Sequence, residues 1–309
     1  MRRILIYVFL LLTVPVMADY NPYRDNAIAD VQLHIVDDEG SPVEGVGVTA
    51  VFYIGATKTT GLTEVTKQKG IINAKYPCNG EFKVWARKTG YYDTVLKTTA
   101  FKTLTDNEVI SLRRWSKDTV SIPVVIKKKQ HPTQLKINCL EYQKFPVTNE
   151  VFFLDLETCQ WCPPFGNGKH KDMKLLYEAI AHPEQGWAVS YWNKLTLSMP
   201  NVADGFYREK IEPFSKFPYA YDANTNAVFL KSLVLEIERK NDRMVKTDLL
   251  PDNEYLIFRA RTETNHLGQV TSANYGRIGE KLNLAIGLSM KSWFNPKSND
   301  TNLEDARAW

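Results

Sequence analysis

The segment VQLHIVDDEGSPVEGVGVTAVF, residues 31–52, decides how this chain is read. Val31, Leu33 and Ile35 alternate with Gln32 and His34, and Val46, Val48, Ala50 and Phe52 alternate with Gly47, Thr49 and Val51. A period of two puts one set of side chains on each face of a pleated strand, so both runs read as half-buried strands. The residues between them, Asp38-Glu39-Gly40-Ser41-Pro42, are turn chemistry. Pro42 presets φ, and Gly40 and Gly45 permit tight backbone turns between antiparallel strands.

The pattern continues outward. Phe82, Val84 and Ala86 alternate with Lys83, Trp85 and Arg87, and Val120, Ile122, Val124 and Ile126 close the segment. Lys69-Gly70 and Asn79-Gly80 mark further turns, and Pro123 inside its run predicts an edge strand. Beyond Gln130 come more strand-like runs: Val151–Leu156, Leu195/Leu197, Leu233/Leu235/Ile237, Leu256–Ala260 and Leu282–Leu288. Met173 to Ala181 could be helical on propensity, but the all-β surroundings and Pro183 favour a strand. The fold class is therefore all-β. A first β-sandwich is expected over residues 30–128 after an extension at 19–29, and a second β-rich, sandwich-like domain over 129–309. The boundary is expected near Lys127–Pro132, with the basic run Lys127–Lys129 read as a solvated linker.

Two blocks carry a resemblance. Residues 36–48, with their acidic-Gly-x-Pro turn and the following Gly-x-x-Val, and Gly80 to Tyr91 (GEFKVWARKTGY) resemble the carboxypeptidase regulatory-like, or transthyretin-like, domain. One turn departs from it: Thr66-Lys67-Gln68-Lys69-Gly70-Ile71 stands where a T-D-x-x-G-x-F-like turn is usual. The resemblance covers about a third of the chain and implies a seven-stranded sandwich without catalysis. Four later blocks resemble the tail of exported bacterial proteins that begin with the same domain and have no assigned activity. They are Asp155 to Gly168; Lys194–Leu197 with Asp204-Gly205; Tyr255–Arg261 with Ser272–Ile278; and Phe294 to Glu304. The Cys pair flanking Trp161 departs from that pattern.

Residues 1–18 read as a secretory signal. Arg2 and Arg3 precede the apolar run Ile4–Val14, Pro15 ends it, and Val16 and Ala18 are small residues at −3 and −1 of a cleavage point before Asp19. No later run approaches about 18 apolar residues, so no transmembrane segment is expected in the mature chain. The expected location is the periplasm, the cell surface or the extracellular space. The whole chain carries +4, and losing Arg2 and Arg3 brings it to about +2, which gives no reason to expect a nucleic-acid partner.

Familiar catalytic signatures are missing. None of His34, His131, His170, His182 and His266 has Glu three residues on, and no HExxH, GxSxG, SxxK or phosphate loop is present. Gly166-Asn167-Gly168-Lys169 reads as a turn. Cys159-x2-Cys162 with His170 and His182 has metal-ligand types, but the spacing does not match a zinc finger and export disfavours thiolates. Export and an even count, Cys78, Cys139, Cys159 and Cys162, allow disulfides, and the bend suggested by Pro163-Pro164 and Gly166/Gly168 favours Cys159–Cys162; a Cys78–Cys139 pair and four free thiols are the alternatives. A Cys159–Cys162 loop would present Trp161 and Phe165 to a ligand. Trp187, Tyr191 and Trp192 add aromatics that could stack on a sugar or fill a core. Asp155 and Glu157, two apart on one strand, are the candidate carboxylate pair of a glycan hydrolase, against the plainer reading of a hydrogen-bonded sheet face. The sequence thus points to an exported non-catalytic binding or structural module, needing no cofactor, with glycan or another envelope protein as partner. The alternative is a secreted hydrolase with a dispersed acid pair.

Overall fold

The computed structural model describes residues 28–54, 58–78, 81–98, 103–105, 108–110, 119–179, 191–211, 215–240, 243–247, 250, 253–284 and 287–307. The protein is all-β, and among the described residues there is no helix. The chain forms two compact units. One comprises residues 1–86 and 95–124, the other residues 87–94 and 125–309.

Among the described residues, the first unit holds seven strands in two sheets and a separate two-stranded hairpin of β7 (Thr103–Thr105) and β8 (Glu108–Ile110). β1 (Ile28–Val36), β4 (Ile71–Pro77) and β9 (Val120–Val125) form one sheet in the order β4-β1-β9. β2 (Gly47–Ile54), β3 (Lys58–Val65), β5 (Phe82–Arg87) and β6 (Thr94–Thr98) form the other, in the order β3-β2-β5-β6. Alternation does the work the sequence assigns it: Ala29, Val31, Leu33 and Ile35 are buried, while Asp30, Gln32 and His34 face outward. Phe52 of β2 stacks on Tyr76 of β4 at 5.2 Å and so joins the two sheets. β9, with Pro123, is an edge strand, where a missing N–H costs no ladder bond. In the first turn, the Asp37 carboxylate accepts the N–H groups of Glu39 and Ser41. The Thr66 that opens the unusual turn is buried. Its hydroxyl donates to the Val43 carbonyl at 2.7 Å and accepts the Val46 N–H at 2.9 Å, which fixes the loop entering β2.

The second unit is built on two larger sheets. Five strands, β10 (Lys136–Gln143), β20 (Leu288–Phe294), β19 (Val270–Leu284), β18 (Glu254–Thr264) and β15 (Gly205–Lys210), lie in that order. Six strands make the other, in the order β12 (Gln160–Trp161), β11 (Val151–Asp155), β13 (Met173–Ala179), β14 (Tyr191–Ser198), β16 (Ser232–Lys240) and β17 (Arg243–Thr247). Their inner faces share one apolar core, with Phe152, Leu175, Leu195 and Leu235 from one sheet and Leu256, Phe258, Met290 and Phe294 from the other. Met173–Ala179 is a strand, as its all-β surroundings led one to expect.

β18 is buried on both faces. Leu256 and Phe258 point into the shared core, while Tyr255 and Ile257 point into a second, aromatic one with Tyr92, Phe217, Tyr219, Tyr275 and Leu303. Two cations lie in this aromatic layer. Lys127 is 2 % exposed, donates to the Tyr219 carbonyl at 2.7 Å and stands 4.7 Å from the Tyr221 ring centre. The Arg277 guanidinium lies 4.0 Å from the Tyr219 ring and 4.6 Å from that of Trp293. Lys127 therefore corrects the linker reading. The first lysine of the basic run is interior, because a carbonyl and two ring faces replace its water. Residues 87–94 group with residues 125–309 in the second unit.

A carboxylate cluster around Arg261

β11 ends at Asp155, which is 1 % exposed, and the chain doubles back through β12. Asp155 Oδ1 accepts the N–H groups of Glu157 at 2.9 Å and Thr158 at 3.3 Å. Its Oδ2 accepts those of Lys169 at 2.9 Å and His170 at 3.3 Å. One carboxylate thus holds both ends of the 156–170 loop. The two glycines of the loop allow close backbone contact. A Cβ on Gly166 would lie 2.4 Å from the Trp161 carbonyl oxygen, and one on Gly168 2.5 Å from that of Gln160. Just beyond the loop, Asp172 accepts the Leu156 N–H at 3.0 Å.

The opposite wall comes from a bulge in β18. Pairing with β19 shifts register between Ala260 and Glu263, and Arg261 takes φ +55°. A bulge removes N–H groups from the ladder, and buried donors need other acceptors. Asp204 supplies them: its Oδ2 accepts the Arg261 N–H at 3.0 Å and its Oδ1 the Thr262 N–H at 2.9 Å. The Arg261 side chain then reaches the acids of the loop. Nε and Nη2 donate to the two oxygens of Asp172 at 2.9 Å each, Nη1 to Glu157 at 2.6 Å, and Nη2 to Asp155 at 3.3 Å. The guanidinium lies 4.6 Å from the Phe294 ring centre, and Lys136 makes a second ion pair with Glu157.

Burial would lower the Arg261 pKa, but its bonds to Asp172 and Glu157 prevail and hold it above the ordinary value. Burial opposes ionisation of Glu157, yet the bonds from Lys136 and Arg261 hold its carboxyl below the usual range. Burial pushes Asp204 up, against the pull of the Thr262 and Arg261 N–H groups. Glu157 is thus held as an anion, the opposite of what a general acid requires.

Asp155 and Glu157 are not neighbours on one strand face, as the spacing suggests. The strand ends at Asp155 and Glu157 sits in the following turn, but Arg261 gathers both. Trp161 is buried and meets Phe152 edge-on at 5.2 Å, so it packs into the core instead of facing a ligand. Phe165 remains 38 % exposed on the loop. Cys159 and Cys162 do not bond to each other in this structure. The Cys159 thiol donates to the Asn138 carbonyl and the Cys162 thiol to the His170 carbonyl, with no bridge between them. The physical reason is the strand Gln160–Trp161 that separates them: an extended spacing holds two such Cα atoms roughly 10 Å apart, beyond the reach of a disulfide. Cys162 meets the main chain of His170, not its imidazole, and among the described residues no group of three or more His, Cys, Asp or Glu is placed to hold a metal ion. His182 and Trp187 lie outside the described residues, as does the 1–18 segment. Trp192 donates to Glu236 on the neighbouring strand.

Sequence reasoning missed Asp172 and gave no role to Asp204 or Arg261. A signal was present, since Asp155, Asp204, Arg261 and Phe294 each come from a different one of the four later sequence blocks. Those blocks meet around a single guanidinium.

Open grooves lie on each unit. On the outer face of β4-β1-β9, a groove of about 490 Å³ is lined by Asp30, Gln32, Asn73, Lys75, Thr119 and Ser121. Within it Gln32 donates to Asn73 at 2.9 Å, and Lys75 and Thr119 both donate to Asp30. On the second unit, a groove of about 670 Å³ runs past Lys136, Asn138, Glu157 and Arg307.

No protein-family model matches the chain, and no curated protein matches it. Among solved structures, the chain is similar to a streptococcal ancillary pilin at 13 % identity and TM-score 0.22, over 92 % of this chain; it spans 64 % of the pilin chain's length. It is also similar to a candidate carbohydrate-binding protein from Bacteroides uniformis ATCC 8492 at 10 % identity and TM-score 0.21, over 88 % of this chain and 98 % of that one. Likenesses this slight carry neither fold nor function from those proteins to this chain.

Proposed function

We propose that the protein is an exported, non-catalytic module of the cell envelope or extracellular space that binds glycan or another envelope protein, its first unit being a carboxypeptidase regulatory-like domain. One observation carries the non-catalytic part: Asp155, Glu157 and Asp172, the acids a hydrolase would draw on here, all accept hydrogen bonds from Arg261. A retaining or inverting glycosidase needs one acid protonated and one free to attack or to activate water. Acids committed to one guanidinium and to main-chain N–H groups serve neither role. The open polar grooves, lined by amide, hydroxyl and charged groups, suit a hydroxyl-rich ligand better than an apolar one. Export rests on the three-part pattern of residues 1–18, and N-terminal sequencing of secreted material should find Asp19 first.

A glycan array and a pull-down with the 19–309 protein test the binding reading, with reducing-end release from the same glycans measured in parallel. Binding without turnover is the expected result. Turnover that disappears in Glu157→Gln would establish the hydrolase instead.

A further inference from the structure

The turn that opens the second unit makes a positively charged groove with an aromatic floor. Lys88 to Tyr91 forms a tight turn in which the Tyr91 N–H donates to the Lys88 carbonyl at 3.0 Å and Gly90 takes φ +83°. Lys129 closes the other side, its N–H donating to the Gly90 carbonyl at 2.8 Å. The groove between, about 620 Å³, is lined by Arg87, Lys88, Gly90, Tyr91, Asp93 and Lys129. Its lining holds one carboxylate, Asp93, and that group is already engaged by Arg87 at 3.2 Å and Lys216 at 3.1 Å. Three lining cations, Arg87, Lys88 and Lys129, against that one acid give these few residues a formal charge of +2, half the +4 of the entire 309-residue chain. The excess is therefore local and is not an average property of the surface. The Lys88 ammonium sits 5.2 Å from the half-buried Tyr91 ring, and that of Lys129 5.5 Å from the Tyr92 ring behind it, so the charges are held over aromatic faces and not spread through solvent.

We infer that this groove binds a saccharide bearing carboxylate or sulfate groups, the anions meeting Arg87, Lys88 and Lys129 and the sugar ring resting against Tyr91. The guanidinium matches planar or tetrahedral oxyanions, the lysines act as point charges, and a tyrosine face accepts the C–H face of a pyranose. The inference rests on the glycan reading above and narrows it to an anionic class held at one place.

The test is calorimetric titration of the intact 19–309 protein with three probes: oligogalacturonate, a sulfated heparin oligosaccharide and neutral dextran. The expected result is binding of one or both anionic probes, weakening more than about fivefold between 0.05 and 0.3 M salt as screening shortens. Binding of the carboxylated or the sulfated probe alone supports the inference and names the anion. Lys88→Glu/Lys129→Glu should lower affinity more than about tenfold, whereas Lys58→Glu on exposed β3 should leave it unchanged. If the double variant fails to fold, Lys88→Gln and Lys129→Gln singly should each lower affinity and flatten the salt dependence. Equal, salt-insensitive binding of dextran would overturn the inference and leave the glycan reading standing. Anionic binding that survives the lysine variants would overturn the location. Binding of none of the probes, with a blank glycan array, would sink both.

Discussion

Arg261 and Asp172 meet fork to fork, with Nε and Nη2 each 2.9 Å from one carboxylate oxygen, across 89 residues of sequence. Removing the fork leaves Asp155, Glu157 and Asp172 crowded together without their shared cation. Arg261→Met should therefore cost about 3–5 kcal/mol in denaturant unfolding, the range for breaking a buried ion pair from one side. Arg261→Lys should recover only part of it, because an ammonium cannot make the paired bonds. A loss below about 1 kcal/mol for Arg261→Met would show that the cluster is not holding the fold.

Glu157 gives a pH dependence with a definite sign. Its folded pKa lies below its ordinary value of 4.5, so the native state favours the anion. Its contribution is present above the unfolded pKa and is lost as pH falls through the folded one. The stability gap between the wild type and Glu157→Gln should be open at pH 7 and close as pH falls through the lowered folded pKa. A gap that widens on acidification would contradict the assignment.

The 156–170 loop and the β18–β19 contact depend on absent side chains. A Cβ at Gly276 would meet Phe258 Cζ at 2.3 Å and the Trp293 carbonyl oxygen at 2.4 Å. Gly276→Ala and Gly168→Ala should each destabilise by about 1–3 kcal/mol or more, read as a lower thermal midpoint. Gly268→Ala is a useful contrast. Nothing lies within 4 Å of its Cβ, so its penalty should come from φ +76° alone.

Tyr92 donates to Glu304 at 2.8 Å, and burial followed by that bond raises its phenol pKa. The neutral phenol is favoured in the fold, so stability should fall as pH rises above about 10, where the unfolded chain begins to ionise. Tyr92→Phe should remove Tyr92's share of this alkaline loss, the buried Tyr177, Tyr207 and Tyr255 contributing theirs, and cost about 1.5–3 kcal/mol at pH 7, the range for a hydrogen bond to a charged group. An unchanged alkaline midpoint in the variant would refute it.

The thiols make the last prediction. Cys162 is 2 % exposed with its pKa raised, by burial first and then by the charges of Asp155 and Asp172. It should resist alkylation in the native protein and react after denaturation without reductant. A peptide containing Cys159 and Cys162 that is two hydrogens light before reduction would show a bridge the fold does not provide for.

The period-two runs made most strands legible, because apolar alternation and sheet burial are the same fact seen twice; Met173–Ala179 was legible only from its all-β surroundings and Pro183. Pro123 marked its edge for a similarly local reason. The Arg261 cluster was not legible. Its members lie as far as 106 residues apart, and nothing local to Asp172 or Arg261 says which charges will meet. Lys127 misled for a related cause. Three consecutive lysines read as solvated, and only the distant Phe217, Tyr219 and Tyr221 make an interior site for the first of them. Trp161 was misread as a displayed ring because its loop looked like a bend; the short β12 pairing turns it inward instead.

The bond between Tyr92 and Glu304 spans 212 positions. Made from the N-terminus, the chain exposes residues 87–94 long before the acid that receives Tyr92 exists, and the same acid also caps the N–H groups of Gln130 and His131. The contact that joins these stretches of the second unit can form only once Glu304 has been made. A nascent chain stopped a dozen residues short would carry nearly all its strands and still lack the latch that fastens three separate stretches of it together.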